Sequence, residues 1–186
     1  AHGILKTAKA SLADWGELDV TAVLNYTRKR HPRARISMIG HSIGGQLIGL
    51  SDLSRYADTI VLIASQTPYW KNYQGTMLLK VWSLWHIIIP VFTRLFGYFP
   101  ARKLGLFENM PAQAAVQWAR WGKNRDYLFE EFPQKRKLFS SLTQPALVLS
   151  FTDDPLAPYK AVKDLLLHYS GLKAEHKHIS PEQIGR

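Results

Sequence analysis

The residues Gly40-His41-Ser42-Ile43-Gly44 match the pattern G-x-S-x-G, which is typical of a nucleophile elbow. In such an elbow a strained turn between a strand and a helix lifts a serine hydroxyl into a pocket. Ser42 would be the nucleophile, and the backbone N–H of Ile43 would donate to the oxyanion that forms in acyl transfer. We expect Gly40 and Gly44 to be required, because side chains two residues either side of the serine would clash in so tight a turn.

The elements that must position this serine are predicted on both sides of it. Residues 35–40 are short and mostly apolar and predict a buried strand, and residues 43–53 predict a helix. A continuous β-branched run at 58–64 is typical of a strand in a parallel sheet. Two more strands are predicted at 145–151 and 174–180.

Strands that alternate with helical segments predict an α/β fold with about four parallel strands and crossover helices. We expect a core segment at 1–64 that holds the elbow, a helical cap insert at 65–142 and a second core segment at 143–186. In folds of this class ligands bind at the carboxyl edge of the sheet, and the cap insert would lie above that edge.

Apolar residues at helical spacing predict a helix over 11–31 with one apolar stripe, formed by Trp15, Leu18, Ala22, Val23 and Tyr26. In the cap insert we predict helices near 77–98, 111–122 and 124–131 and no strand. Most aromatic residues of the cap insert are expected in its core, and a few would line an apolar acyl pocket. These residues are Trp82, Trp85, Phe92, Phe96, Trp118 and Trp121.

The most apolar segment of the chain lies at 77–99. Only 13 residues separate Lys80 from Arg94 without a charged side chain between them, whereas a spanning helix needs about 20. We therefore predict a buried or interfacial helix that is kinked at Pro90, and no transmembrane span.

Composition and charge narrow the class of protein. The chain of 186 residues is 46% apolar and 20% charged, which is typical of a globular protein. It has no cysteine, which excludes thiol catalysis, zinc–cysteine sites and disulfides and fits a cytoplasmic location. The formal net charge of +10 permits an anionic partner, but no nucleic-acid reading element is recognisable, so no nucleic-acid partner is predicted.

Further motifs give the chain a resemblance to the α/β-hydrolase superfamily, and more narrowly to the bacterial "predicted α/β hydrolase" group. The resemblance covers nearly the whole chain. The motifs are Asp14-Trp15-Gly16 with Asp19, the elbow sequence GHSIGGQLIGL, Pro68-Tyr69-Trp70, Leu84-Trp85-His86, Gly97-Tyr98-Phe99-Pro100, Trp118-Ala119-Arg120-Trp121 and Phe151-Thr152-Asp153-Asp154.

The resemblance implies a triad in the chain order serine, acid, histidine, with the acid just after the strand that follows the cap. Both Asp153 and Asp154 stand there, and Asp154 is favoured because Pro158 follows it four positions later, as in relatives. The alternative is that both aspartates are turn residues before Pro155. The chemistry requires no metal or cofactor, and none is predicted.

The histidine of the triad is not found where the resemblance places it, in the loop after the last strand. Residues 180–186 contain no histidine. His178 and, less favourably, His176 are alternatives inside the last predicted strand. We expect instead that the catalytic histidine lies beyond Arg186, and that the chain is a fragment that lacks N-terminal strands and is inactive by itself. The second oxyanion donor is not identified.

The resemblance implies a serine hydrolase that acts on a small-molecule substrate with an ester-like bond. The aromatic cap insert favours an apolar acyl or aryl group. Two alternatives remain open: a binding protein that keeps the fold without catalysis, and an acyltransferase that uses the same triad. The sequence does not indicate the oligomeric state of the protein.

Overall fold

The computed structural model describes residues 2–185, with side chains from Leu5 onward, so Ala1 and Arg186 lie outside the described part. The strands found there are β1 (Ser37–His41), β2 (Thr59–Ile63), β3 (Tyr98–Phe99), β4 (Met110–Pro111), β5 (Pro145–Phe151) and β6 (Lys173–Ile179). Four of them form a parallel sheet in the order β1-β2-β5-β6. The predicted α/β class and the four predicted parallel strands are confirmed.

Helices precede the first strand and separate most of the others. The α-helices of the described part are α1 (His2–Thr7), α2 (Leu12–Asp14), α3 (Val20–Arg30), α4 (Ile43–Leu47), α5 (Gly75–Ser83), α6 (Ile89–Phe96), α7 (Ala112–Lys123), α8 (Lys135–Ser140) and α9 (Tyr159–His168). Turns of π-helix join α2 to α3 at Trp15–Asp19 and α5 to α6 at Leu84–Ile88. A 3₁₀ turn at Pro181–Ile184 follows β6.

The register of the sheet brings three strand ends to the same level. His41 pairs with Ile63, and Ile63 pairs with Leu149. Because these strands are parallel, the segments that follow β1, β2 and β5 all leave from one carboxyl edge. Ser42 and Asp154 therefore both follow strands that end at this edge, as predicted.

The sheet is buried where its strands are most apolar. Ile60, Leu62 and Val148 are fully buried on β2 and β5, the two central strands. Strand β1 pairs with β2 alone among the residues described, and Ile39 on β1 is 69% exposed. The edge of the sheet beside β1 is therefore unpaired in the described part of the chain, with an apolar side chain exposed on it.

Residues 65–142 lie between β2 and β5 and hold helices α5 to α8. Their aromatic core includes Trp85 and Trp118, whose ring centroids are 4.9 Å apart. The expectation of no strand there is wrong, because β3 and β4 form a small antiparallel pair. Two-residue strands beside prolines leave no periodic pattern in the sequence, so periodicity could not predict them.

The apolar stripe predicted on helix 11–31 faces solvent. Leu18, Val23 and Tyr26 are all more than 60% exposed, whereas Leu24 is buried. The π turn at Trp15–Asp19 adds a residue to one helical turn. It thereby rotates α3 relative to the straight helix that the spacing assumed, and the predicted stripe does not pack into the core.

Gly75–Phe96 is one continuous helix of 22 residues. It contains an 18-residue window with a mean hydropathy of 1.4, of which 17% is buried. By length and composition it could cross a membrane, so the absence of a transmembrane span stays a prediction. The irregularity expected at Pro90 takes the form of the π turn at Leu84–Ile88, just before it.

Candidate active site

Ser42 stands at the apex of a strained turn between β1 and α4. Its backbone has φ 49° and ψ −119°, in a region that residues other than glycine rarely adopt. Its N–H donates to the carbonyl of Ile63 at 2.9 Å, which ties the turn to the end of β2. The strand–turn–helix context that the motif requires is therefore present, and the side chain of Ser42 is half-buried.

Close packing explains two glycines near Ser42, but only one of them was predicted. A Cβ on Gly40 would lie 2.5 Å from the Cα of Gly45, and a Cβ on Gly45 would lie 2.1 Å from Oγ of Ser65. A Cβ on Gly44 would have nothing within 4 Å. The expectation that Gly44 is sterically required is therefore wrong. The requirement falls on Gly45, because β1 and the segment after β2 both pack closely against that residue.

The backbone N–H of Ile43 is the predicted oxyanion donor. Ile43 is the first residue of α4, and the first N–H groups of a helix have no acceptor within it. The positive end of the helix dipole favours negative charge at this position. The position of Ile43 directly after Ser42 is compatible with its predicted role.

The Tyr169 hydroxyl bonds the backbone of the helix that follows the elbow and interrupts that helix. Its buried hydroxyl donates to the carbonyl of Gly45 at 2.8 Å and accepts from the N–H of Gly49 at 2.9 Å. In an α-helix that N–H and that carbonyl would bond each other. The phenol inserts between them, so α4 ends at Leu47 and 3₁₀ turns replace the rest of the helix predicted over 43–53.

A chain of buried hydrogen bonds links α4 to the loop that carries Asp154. Gln46 on α4 accepts from the Tyr127 hydroxyl and donates to Oε1 of Gln66 at 3.3 Å. Gln66 donates to the carbonyl of Leu156 at 3.0 Å, and the Tyr73 hydroxyl donates to the same carbonyl at 2.9 Å. Sequence reasoning missed this network, because its members are far apart in the chain and follow no periodic pattern.

Asp154 is fixed by its own loop. Its Oδ1 accepts from the N–H groups of Leu156 at 2.8 Å and Ala157 at 3.1 Å. Burial raises the pKa of Tyr73 well above its usual range, and the nearby charge of Asp154 raises it further. Asp153 is exposed, and its side chain has no hydrogen bond or ion pair to any residue within 2–185. These hydrogen bonds to the Asp154 carboxylate are compatible with the triad acid. They are equally compatible with the alternative that Asp154 is a turn residue.

The two alternative histidines contact a different serine. Nε2 of His176 and Nδ1 of His178 each lie 2.8 Å from Oγ of Ser150, which is fully buried on β5. The ring of Tyr159 stacks on His176, with centroids 5.2 Å apart. In the described part of the chain neither histidine hydrogen-bonds to Ser42 or to an aspartate. The structure thus gives no support to either histidine as the catalytic base.

Across residues 2–185, no group of three or more His, Asp or Glu side chains is arranged to hold a metal ion. This finding concerns protein ligands only. It leaves the expectation of a cofactor-free reaction as a prediction from the serine chemistry.

The family model of the alpha/beta hydrolase family matches residues 2–179, and the chain belongs to this family. Comparison with curated proteins gives no match. Solved structures share the fold. Est816, described as an N-acyl homoserine lactone degrading enzyme, matches with a TM-score of 0.54 and 18% identity, over 93% of this chain and 68% of its own.

Two more solved structures match at a similar level. Est1E from Butyrivibrio proteoclasticus gives a TM-score of 0.52 and 16% identity, over 91% of this chain and 61% of its own. The monoacylglycerol lipase of Paleococcus ferrophilus gives 0.51 and 10% identity, over 92% and 66%. The chain thus spans about two-thirds of the length of these proteins, and at such low identity the likeness shows a common fold.

The two elbow glycines should respond differently to an added methyl group. Gly45→Ala should lower the free energy of unfolding by about 2 kcal/mol, because its Cβ would overlap the Ser65 side chain. Gly44→Ala should be neutral or stabilising by up to about 1 kcal/mol, since alanine favours the helix and meets open space. Urea unfolding monitored by circular dichroism measures both. Equal losses in the two variants would contradict the packing described for the elbow.

Stability should fall on acidification through the cluster around Ser150. Burial lowers the pKa of His176, and the charges of His178 and Lys163 lower it further. The unfolded chain therefore takes up a proton on His176 at a higher pH than the folded chain does. Folded stability from this group is complete above about pH 6.5 and decreases below it.

Thermal unfolding midpoints measured between about pH 7 and pH 5 test this linkage. The midpoint should fall with pH, and less so in His176→Gln, whose amide can still bond Ser150. Burial also lowers the pKa of His168, so part of the dependence should remain. The exposed His31 supplies the control, and His31→Gln should behave like the parent. An unchanged slope in His176→Gln would contradict the assignment.

Proposed function

We propose that this chain supplies the nucleophile and the acid of a serine hydrolase that acts on an ester-like bond. Ser42 is the nucleophile, Asp154 is the acid that orients a histidine, and the N–H of Ile43 is one oxyanion donor. The observation that carries the proposal is the backbone of Ser42, with φ 49° between the end of β1 and the start of α4. Membership of the alpha/beta hydrolase family supports it.

The reaction proceeds by acyl transfer through Ser42. A histidine base takes the hydroxyl proton as Oγ attacks the carbonyl carbon, and the N–H of Ile43 donates to the oxyanion that forms. The tetrahedral intermediate expels the alcohol, which takes the proton from the imidazolium, and leaves an acyl ester on Ser42. Water then attacks that ester with the same histidine as base. This step releases the carboxylic acid product and regenerates the free serine.

The histidine follows the acid in the chain order of this fold. His176 and His178 follow Asp154, but their imidazoles bond Ser150. We therefore propose that the base is a histidine other than these two. A base close to Ser42 is required for the proposed reaction, since triad members act as a unit.

An apolar acyl group is the substrate class that the surroundings favour. A groove of about 510 Å³ lies between the cap insert and the loop after Asp154. Its apolar wall includes Met77, Leu84, Ile88 and Leu106 from the cap insert and Leu156 from the loop. Leu156 lies two residues after Asp154 in the chain, and we propose that the acyl chain of the substrate occupies this groove.

A fluorophosphonate probe tests the nucleophile in the natural protein. Labelling should be lost in Ser42→Ala and retained in Ser150→Ala, a matched control because Ser150 also has histidine partners. Hydrolysis of p-nitrophenyl esters should fall by at least about 10³-fold in Ser42→Ala. Labelling that depends on Ser150 would contradict the proposal. A folded protein that is never labelled would favour the non-catalytic binding protein, and ester transfer to an added alcohol would favour the acyltransferase.

Substitutions of the two aspartates should have different effects on activity in the same assay. Asp154→Asn should lower kcat by about 10³–10⁴-fold, because an amide cannot stabilise the imidazolium. The amide oxygen can still accept from Leu156 and Ala157, so the loop should stay intact. Asp153→Asn, one residue away and exposed, should retain nearly full activity. The reverse order of effects would assign the acid to Asp153, and no effect in either variant would favour the turn-residue interpretation.

A further inference from the structure

One face of the long helix Gly75–Phe96 is apolar and uncovered. Its exposed large side chains are Leu79, Trp82, Ile87, Val91 and Leu95, which we call the docking face. Leu95 is 71% exposed and Leu79 is 63% exposed. Contiguous apolar surface of this kind on a folded protein indicates an interaction site.

The π turn at Leu84–Ile88 keeps this face on one side of the helix. From Ile87 onward the exposed residues recur every fourth position, and the extra residue of the π turn lies between Trp82 and Ile87. The opposite face follows the same pattern and is buried at Val81, Trp85 and Ile89. The helix therefore has a fixed inner face and a free outer face.

The inner face holds the helix against the rest of the domain. Trp85 is 2% exposed and donates its indole N–H to the carbonyl of Pro68 at 2.9 Å. The ring of Trp85 also contacts that of Trp118 on α7, with centroids 4.9 Å apart. A spanning position would require these contacts to break, so the docking face is arranged to lie along an apolar boundary rather than to cross it.

The Lys and Arg residues of the helix are not offset by any acidic residue on the helix itself. Residues 75–96 contain no Asp or Glu, and both basic residues of the helix, Lys80 and Arg94, are exposed. Neither forms an ion pair with any residue that the structure describes. Just beyond the helix Lys103 is exposed too, whereas the exposed Arg102 pairs with Glu108 at 3.8 Å. Together with the net charge of +10, this arrangement is complementary to an anionic surface.

We propose that the docking face binds the surface of an anionic phospholipid bilayer, with the helix parallel to the membrane plane. Leu79, Ile87, Val91 and Leu95 enter the boundary between headgroups and acyl chains, and Trp82 takes the interfacial position that tryptophan favours. Lys80 and Arg94 bind the phosphate groups. Lys80 and Leu79 also line the groove that reaches Leu156, so docking places that groove beside the lipid.

Vesicle co-sedimentation of the natural protein tests this surface. The protein should bind vesicles of equal parts phosphatidylcholine and phosphatidylglycerol. It should bind vesicles of phosphatidylcholine alone at least about tenfold more weakly, and added salt should abolish this difference in affinity. Leu95→Gln with Ile87→Gln should weaken binding about tenfold or more. Leu167→Gln on α9, where the leucine is 73% exposed, is the matched control and should bind normally.

Charge and catalysis are tested separately. Lys80→Gln with Arg94→Gln should remove the preference for phosphatidylglycerol, and Ser42→Ala should bind as the parent does. A failure of the proposed hydrolase chemistry is therefore distinguishable from a failure of docking. The proposal is overturned if the vesicles do not bind the folded protein, or if Leu167→Gln weakens binding as much as the docking-face variant. It is overturned equally if light scattering shows that the face is covered by a second copy, or if alkaline carbonate cannot extract the protein.

Discussion

The positive φ of Ser42 is the constraint on which the rest of the site depends. A backbone in this region costs free energy, of the order of 1–3 kcal/mol, and persists only where surrounding contacts fix it. Here the Ser42 N–H donates to a carbonyl at the end of β2. Gly40 and Gly45 lie so close together that a Cβ on Gly40 would overlap the backbone of Gly45. The tight approach lets the strand end, the turn and the first turn of α4 occupy one small volume.

The elements around the elbow are joined by polar groups rather than by apolar packing alone. Tyr169 replaces one helical hydrogen bond of α4 with two bonds to its own hydroxyl. Gln46 and Gln66 extend the connection from α4 to the carbonyl of Leu156, in the loop that fixes Asp154. Because an unpaired amide in the interior is costly, such a network specifies one relative position for the two loops. The proposed nucleophile and acid are thus set by contacts that lie beneath them.

The sequence predicted the features that depend on local pattern. The elbow motif, the strands at 58–64 and 145–151 and the parallel order followed from glycine spacing and β-branched runs, and the structure agrees. It could not predict the role of Gly45, because the atom that excludes a Cβ belongs to Ser65 in another segment. The π turns at Trp15–Asp19 and Leu84–Ile88 were missed for a similar reason. One extra residue in a helix changes which face is buried without changing the composition, so the spacing could not show that the stripe containing Val23 faces solvent.

The central claim is that the elbow presents Ser42 to a carbonyl carbon with the Ile43 N–H beside the developing oxyanion. A crystal structure of the natural protein after reaction with an alkyl phosphonate tests it most directly, since the adduct mimics the tetrahedral intermediate. The account predicts phosphorus bonded to Oγ of Ser42, a phosphoryl oxygen within hydrogen-bond distance of the Ile43 nitrogen, and a positive φ at Ser42. An adduct on another residue, or a phosphoryl oxygen that points away from Ile43, would contradict it.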